Sequence, residues 1–114
     1  MEAMARTVLL VEDDDPMRKA VTRTLSARGH KVVAAASCCE TLQHPGPFAV
    51  GIFDIALGDG DGVDLATDLL RQGRVARAVF FTGSVSLSQV SRAAEVGTVV
   101  SKGNGMEPLL RALW

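Results

Sequence analysis

Residues 50–62, reading VGIFDIALGDGDG, decide the fold. The apolar run Val50-Gly51-Ile52-Phe53 reads as a strand buried on both faces, and it ends abruptly in the carboxylate of Asp54. Gly58, Gly60 and Gly62 then mark a sharp turn that leaves room for close approach. A carboxylate where a fully buried strand emerges is the expected site of an open parallel α/β sheet, whose ligands bind beyond the carboxyl ends of its strands. Asp54 is therefore the candidate reactive group. Taken alone, an Asp before glycines more often starts a turn or caps a helix. The rest of the chain favours the reactive role.

Upstream, Thr7-Val8-Leu9-Leu10-Val11 is a second apolar run, and it collides with four acids, Glu12, Asp13, Asp14 and Asp15. Asp15-Pro16 predicts a helix start with Asp15 as the cap and Pro16 at the first helical position, leaving Asp14 a solvated neighbour. Met17, Ala20, Val21, Thr24 and Leu25 recur at helical spacing, with Arg18, Lys19, Arg23 and Arg28 on the other side, and Gly29 suits a left-handed stop. A short strand over 31–36 follows, then a brief Ser37-capped helix over 38–43 ended by Pro45-Gly46-Pro47. The central strand spans 49–54.

Downstream, the spacing of Val63, Leu65, Ala66, Leu69 and Leu70 predicts a helix over 63–71. Ala78-Val79-Phe80-Phe81 is a fourth strand, ending at Thr82-Gly83-Ser84. Ser86 caps a helix over 87–94 that Gly97 closes, Thr98-Val99-Val100-Ser101 forms a weak last strand running to Lys102, and a final helix covers 107–113. Five strands alternating with five helices predict a parallel sheet covered on both faces, because each crossover needs a helix to return the chain.

At 114 residues the chain is read as one domain, 1–114, that buries roughly two-thirds of the surface its unfolded form exposes. A net charge of −1 and the lack of a basic stripe argue against nucleic-acid binding by this domain alone. No apolar run approaches ~18 residues and no leader pattern is present, so a cytoplasmic protein without membrane contact is expected. Adjacent Cys38 and Cys39 read as free thiols of a reducing compartment. The four phenylalanines, Phe48, Phe53, Phe80 and Phe81, read as core rather than as a base-stacking surface, and His30 and His44 flank turns.

The predicted strand ends are Glu12-Asp13, Asp54, Thr82 and Lys102, and a parallel sheet gathers them along one edge. Carboxylates crowded there repel one another and raise each other's pKa values. A hard divalent ion relieves that repulsion, and Mg²⁺ fits because it accepts a few carboxylates while keeping waters that a phosphate can replace.

In the stretches VLLVEDDDPMR, FDIALGDGDG and VFFTG and in Lys102, the sequence resembles the receiver domains of two-component response regulators over essentially its whole length. The resemblance implies a flavodoxin-like, doubly wound five-stranded sheet of order 2-1-3-4-5. It also implies phosphoryl transfer from a phosphohistidine on a sensor histidine kinase or phosphotransfer protein, as a switch or a step in a phosphorelay. Asp54 then corresponds to the phosphoacceptor. Asp13 corresponds to a direct Mg²⁺ ligand, Glu12 to an acid holding the ion mainly through water, and the Ala56 carbonyl to a third protein ligand. Thr82 would donate its hydroxyl to the phosphoryl group, and Lys102 would balance its charge. Such a receiver catalyses its own phosphorylation and dephosphorylation and is not otherwise an enzyme.

Several positions depart from the family's pattern. Gly103 follows Lys102 where Pro is usual, Val99 takes the place of an aromatic residue on the last strand, and Gly58 stands where Pro is frequent. Two alternatives therefore stand beside the phosphorylatable receiver. One is a pseudo-receiver that acts only as an interaction module. The other is a small Mg²⁺-dependent phosphatase, disfavoured because Ala56 lies where such enzymes commonly carry a second acid.

Overall fold

The computed structural model describes residues 7–83 and 85–114; Ser84, read from the sequence as part of the segment that ends the fourth strand, lies outside the described residues. Strands β1 (Thr7–Val11), β2 (Lys31–Ala35), β3 (Val50–Phe53), β4 (Ala78–Thr82) and β5 (Thr98–Ser101) form one sheet. Its order is β2-β1-β3-β4-β5, and every pairing is parallel. Between and after the strands lie α1 (Asp15–Ala27), α2 (Cys38–Thr41), α3 (Gly62–Arg71), α4 (Leu87–Ala94) and α5 (Met106–Ala112). The expected doubly wound arrangement is the one observed.

Alternation along the strands divides the interior in two, because successive side chains leave a strand on opposite faces. Leu9, Val11, Phe53 and Phe80 face one core, which Val63, Ala66 and Leu69 of α3 and Ala93 of α4 close. Val8, Leu10, Ile52, Val79 and Phe81 face the other, closed by Val21 and Leu25 of α1 and by Leu109 of α5. All four phenylalanines are buried. Leu70, expected to point inward, is only half-buried.

Register carries this packing to the functional edge. Val11 pairs with Phe53, so Glu12 and Asp54 leave the sheet side by side. Thr82 pairs with Ser101, which sets Lys102 one residue beyond it.

Local chemistry ends most elements where the residues predict. Gly29, at φ 90°, lets its own amide and that of His30 turn back onto the carbonyls of Ser26 and Leu25, a double bond pattern that closes α1. Ser86 and Gln89 cap α4 reciprocally.

Several boundaries differ from expectation: β2 ends at Ala35, β3 spans only Val50–Phe53, α3 begins at Gly62 and α5 ends at Ala112. Asp14, not Asp15, caps α1: its backbone is extended and its carboxylate accepts from the Met17 amide at 2.9 Å, while Asp15 enters the helix and pairs with Arg18 at 2.6 Å. Both acids are of a type that caps helices, and only the backbone conformation separates cap from first turn. Helix α2 stops at Thr41, two residues early, and α5 begins at Met106, one residue early. A small antiparallel hairpin, Ala56–Leu57 with Gly60–Asp61, and a 3₁₀ turn at Lys102–Asn104 were not foreseen. Both are too short for a periodic signal.

Candidate functional site

Four strand ends build the site. Asp54 follows β3, Glu12 and Asp13 follow β1, Thr82 closes β4 and Lys102 follows β5. The Asp54 carboxylate is 8% exposed and spoken for at both oxygens: the Thr82 hydroxyl donates to Oδ1 at 2.9 Å and Lys102 Nζ to Oδ2 at 2.7 Å. Lys102 also reaches Glu12 Oε1 at 2.7 Å. The second oxygen of Glu12 accepts from the Asp14 amide at 3.2 Å. Oxygens of Glu12, Asp13 and Asp54 lie within 4.8 Å of one another, with Asp13 exposed at the mouth.

Electrostatics follow from this crowding. Burial pushes the Glu12 carboxyl above its ordinary value, and the Lys102 hydrogen bond only partly offsets that push. Burial works against the Lys102 ammonium too, but hydrogen bonds to Asp54 and Glu12 outweigh it and raise its pKa. The lysine stays charged between two carboxylates.

The expected residues Glu12, Asp13, Asp54, Thr82 and Lys102 therefore converge. Ala56 lies in the first arm of the hairpin, exposed, two residues past Asp54 and paired with Asp61. The turn of this hairpin faces the same mouth, since a Cβ on Gly58 would stand 3.8 Å from Asp13 Oδ2. Gly62 closes the hairpin against the site: a Cβ there would sit 1.8 Å from the Asp54 carbonyl oxygen. No side chain fits.

Sequence reasoning missed three supporting residues. Arg18, read as part of the solvated face of its helix, donates to the Glu12 carbonyl at 2.9 Å and so steadies the acidic turn. Asp61 caps α3, accepting from the Val63 amide at 2.6 Å, and meets Arg92 of α4 at 3.2 Å. Asp59 accepts from the amides of Cys38 and Cys39 at 2.9 and 3.0 Å. Asp61 had a readable signal, an Asp directly before a periodic run. The other two act across gaps that no local pattern reports.

The profile of the family described as Response regulator receiver domain matches residues 8–113. The chain belongs to this family. Among curated proteins, the receiver is 32% identical over 102 residues to the response regulator receiver protein CpdR of Brucella abortus, covering 85% of this chain and 84% of that protein. It is 30% identical over 94 residues to the photosynthetic apparatus regulatory protein RegA of Cereibacter sphaeroides, covering 81% of this chain but 51% of that relative. The receiver thus spans about half the length of RegA. Among solved structures, a Burkholderia pseudomallei response regulator with a phosphorylated aspartic acid, calcium ion and citrate superposes with TM-score 0.84 at 26% identity, covering 96% of this chain and 66% of that one. The CheY-like receiver domain protein of Methanospirillum hungatei matches at TM-score 0.80 and 23% identity over 95% of this chain and 93% of that one, a likeness of fold. No helix among the described residues of the receiver is long and apolar enough to cross a membrane.

Proposed function

We propose that this receiver accepts a phosphoryl group from a phosphohistidine onto Asp54, with residues 1–114 acting as a single domain. One observation carries the reading: a buried carboxylate at the end of the central strand is held at one oxygen by Thr82 and at the other by Lys102, beside Glu12 and Asp13. In the transfer, an Asp54 oxygen attacks phosphorus in line with the leaving imidazole. The P–N bond breaks with its electron pair passing to the imidazole nitrogen, and a P–O bond forms an acyl phosphate. Positioning and charge balance supply most of the catalysis in such a step.

The carboxylates fit a hard cation. Glu12, Asp13 and Asp54 offer oxygen atoms within 4.8 Å, and the upward push on Glu12 is the stress a bound cation relieves. Mg²⁺, when bound there with the Ala56 carbonyl as a further ligand, would neutralise phosphoryl oxygens that otherwise repel the attacking carboxylate. The phosphorylated aspartic acid and calcium ion of the Burkholderia pseudomallei regulator support this reading.

Phosphorylation replaces one carboxylate charge with a group of about −1.5 to −2 and three acceptor oxygens. The Thr82 hydroxyl and Lys102 turn toward it, and the segment leading to α4 follows the hydroxyl, changing the surface an output partner meets. The phosphoryl donor is a sensor histidine kinase or phosphotransfer protein, the same site then hydrolyses its own acyl phosphate, and the free thiols suit a cytoplasmic setting. Val99, half-buried on β5, has no aromatic ring to swing, so relay or an altered output fits better than the usual aromatic switch.

Incubation with a phosphohistidine donor or acetyl phosphate and Mg²⁺ is expected to give an acid-stable, base-labile label that Asp54→Asn abolishes. Undiminished labelling of that variant would remove Asp54 from the role. A wild-type chain that responds to neither Mg²⁺ nor beryllofluoride would be a pseudo-receiver.

A further inference from the structure

The hairpin that follows Asp54 is fastened by a residue that is not one of the acidic pocket's own. Asp59, at its tip, accepts from the amides of Cys38 and Cys39 at 2.9 and 3.0 Å, the first two amides of α2. Ser37 takes the Glu40 amide at 3.0 Å, so two segments some twenty residues apart share the capping of one short helix. The hydrogen bonds to both amides hold the Asp59 carboxyl below its ordinary value. Contact is close on the neighbouring residue as well, since a Cβ on Gly60 would come within 3.0 Å of Cys38 Sγ.

Asp59 stands between Gly58 and Gly60, both exposed, in a segment with little intrinsic stiffness. Ala56 pairs with Asp61 and Leu57 with Gly60, so whatever fixes the turn fixes the backbone at Ala56. Proline would restrain position 58 by locking φ, but glycine occupies it. A carboxylate anchored to α2 supplies the restraint from outside.

We infer that Asp59 is a positioning residue for the ion site: fastened to α2, its carboxylate holds the turn at 58–60 and with it the Ala56 carbonyl. This rests on the receiver reading and extends it to a residue outside the acidic pocket. Binding at the pocket and order at the start of α2 are then linked, each favouring the other.

Three chains and a rescue test it. Mg²⁺ affinity is read by calorimetry and by the Mg²⁺ concentration that half-saturates labelling with acetyl phosphate. Asp59→Ala is expected to raise the Mg²⁺ dissociation constant and the half-saturating concentration about tenfold each, the lower end of what loss of an outer-shell contact costs a metal site, with labelling at saturating Mg²⁺ within about twofold of wild type. Asp59→Asn, which keeps one acceptor oxygen, falls between. Gly58→Pro in the Asp59→Ala background restores the affinity without restoring the hydrogen bonds; Gly58 has no positive φ, and a Cβ there meets only Asp13 Oδ2 at 3.8 Å. A second readout needs no phosphoryl transfer. The Cys38 thiol is pushed up to about 11 by burial and by Asp59, and saturating Mg²⁺ is expected to slow its alkylation by iodoacetamide in wild type but not in Asp59→Ala. Unchanged Mg²⁺ affinity in Asp59→Ala, beside a wild-type chain that binds Mg²⁺ and takes the label, would overturn the positioning role alone. Failure of Gly58→Pro to restore affinity would overturn the stiffening account. A wild-type chain that does neither would overturn the receiver reading and this inference with it.

Discussion

Glu12 shows the cost of building the pocket. The residue is 2% exposed, and burial raises its carboxyl above the ordinary 4.5 despite the Lys102 contact. A group whose native pKa lies above its unfolded value favours the fold below the unfolded pKa and loses that contribution as pH rises through the native one. At neutral pH the charged form therefore works against folding. Glu12→Gln removes that charge and leaves Lys102 its Asp54 partner at 2.7 Å. Without divalent ion the variant is expected to melt about 4 °C higher at pH 7, with the advantage fading toward pH 4, and to bind Mg²⁺ about tenfold more weakly. Thermal melts by circular dichroism at the two pH values check the sign; an unchanged or lower Tm at pH 7 would contradict the desolvation account. The residues of this pocket were legible one by one because each ends an apolar run. Which of Asp14 and Asp15 caps α1 was not, since both are sound caps and the choice lies in one backbone torsion.

At the scale of elements, the hairpin and α3 are locked to the site by Gly62. Its amide donates to the Ile55 carbonyl at 2.8 Å, and the space a Cβ would need is filled by the Asp54 backbone. Gly62→Ala is expected to lower stability by about 3 kcal/mol, at the upper end of overpacking costs, because a backbone carbonyl cannot move aside as a side chain can. Gly83→Ala, where a Cβ meets nothing within 4 Å, serves as the control and should cost less than about 1 kcal/mol. Urea titrations of both variants decide it; equal midpoints would show that the hairpin yields. Helices α1, α3 and α4 were readable to within a residue, since caps and stops are local chemistry. The hairpin was visible only as a cluster of glycines. Two-residue arms carry no period, and Asp59 does its work on a helix that precedes it by some twenty residues.

Across the whole molecule, one sheet separates two cores, so neither can be lost while the strands remain paired. Leu9 faces the core under α3 and Leu10 the core under α1, and each is 1% exposed. Leu9→Ala and Leu10→Ala are both expected to cost about 2–5 kcal/mol and to lower a single shared transition. Trp114 stacks on His30 with ring centroids 5.4 Å apart, and Arg77 donates to the Ala112 carbonyl at 3.0 Å and to the Leu113 carbonyl. Indole fluorescence thus reports on packing around α5, and its unfolding curve should coincide with that of the far-ultraviolet signal. Separate transitions in either variant would mean that the two faces unfold independently.

The strands, their parallel direction and the identity of the converging groups were determined by the sequence alone, because buried apolar runs that alternate with helices and end in polar side chains state both burial and direction; the strand order followed from the family resemblance. Tertiary structure alone decided the partners. Lys102 bridging Glu12 and Asp54, Thr82 turned onto the Asp54 carboxylate and Asp59 tied to α2 all join residues distant along the chain. Hydrogen bonds are made at contact distance, and contact between distant residues exists only once strand register has set every chain end in place.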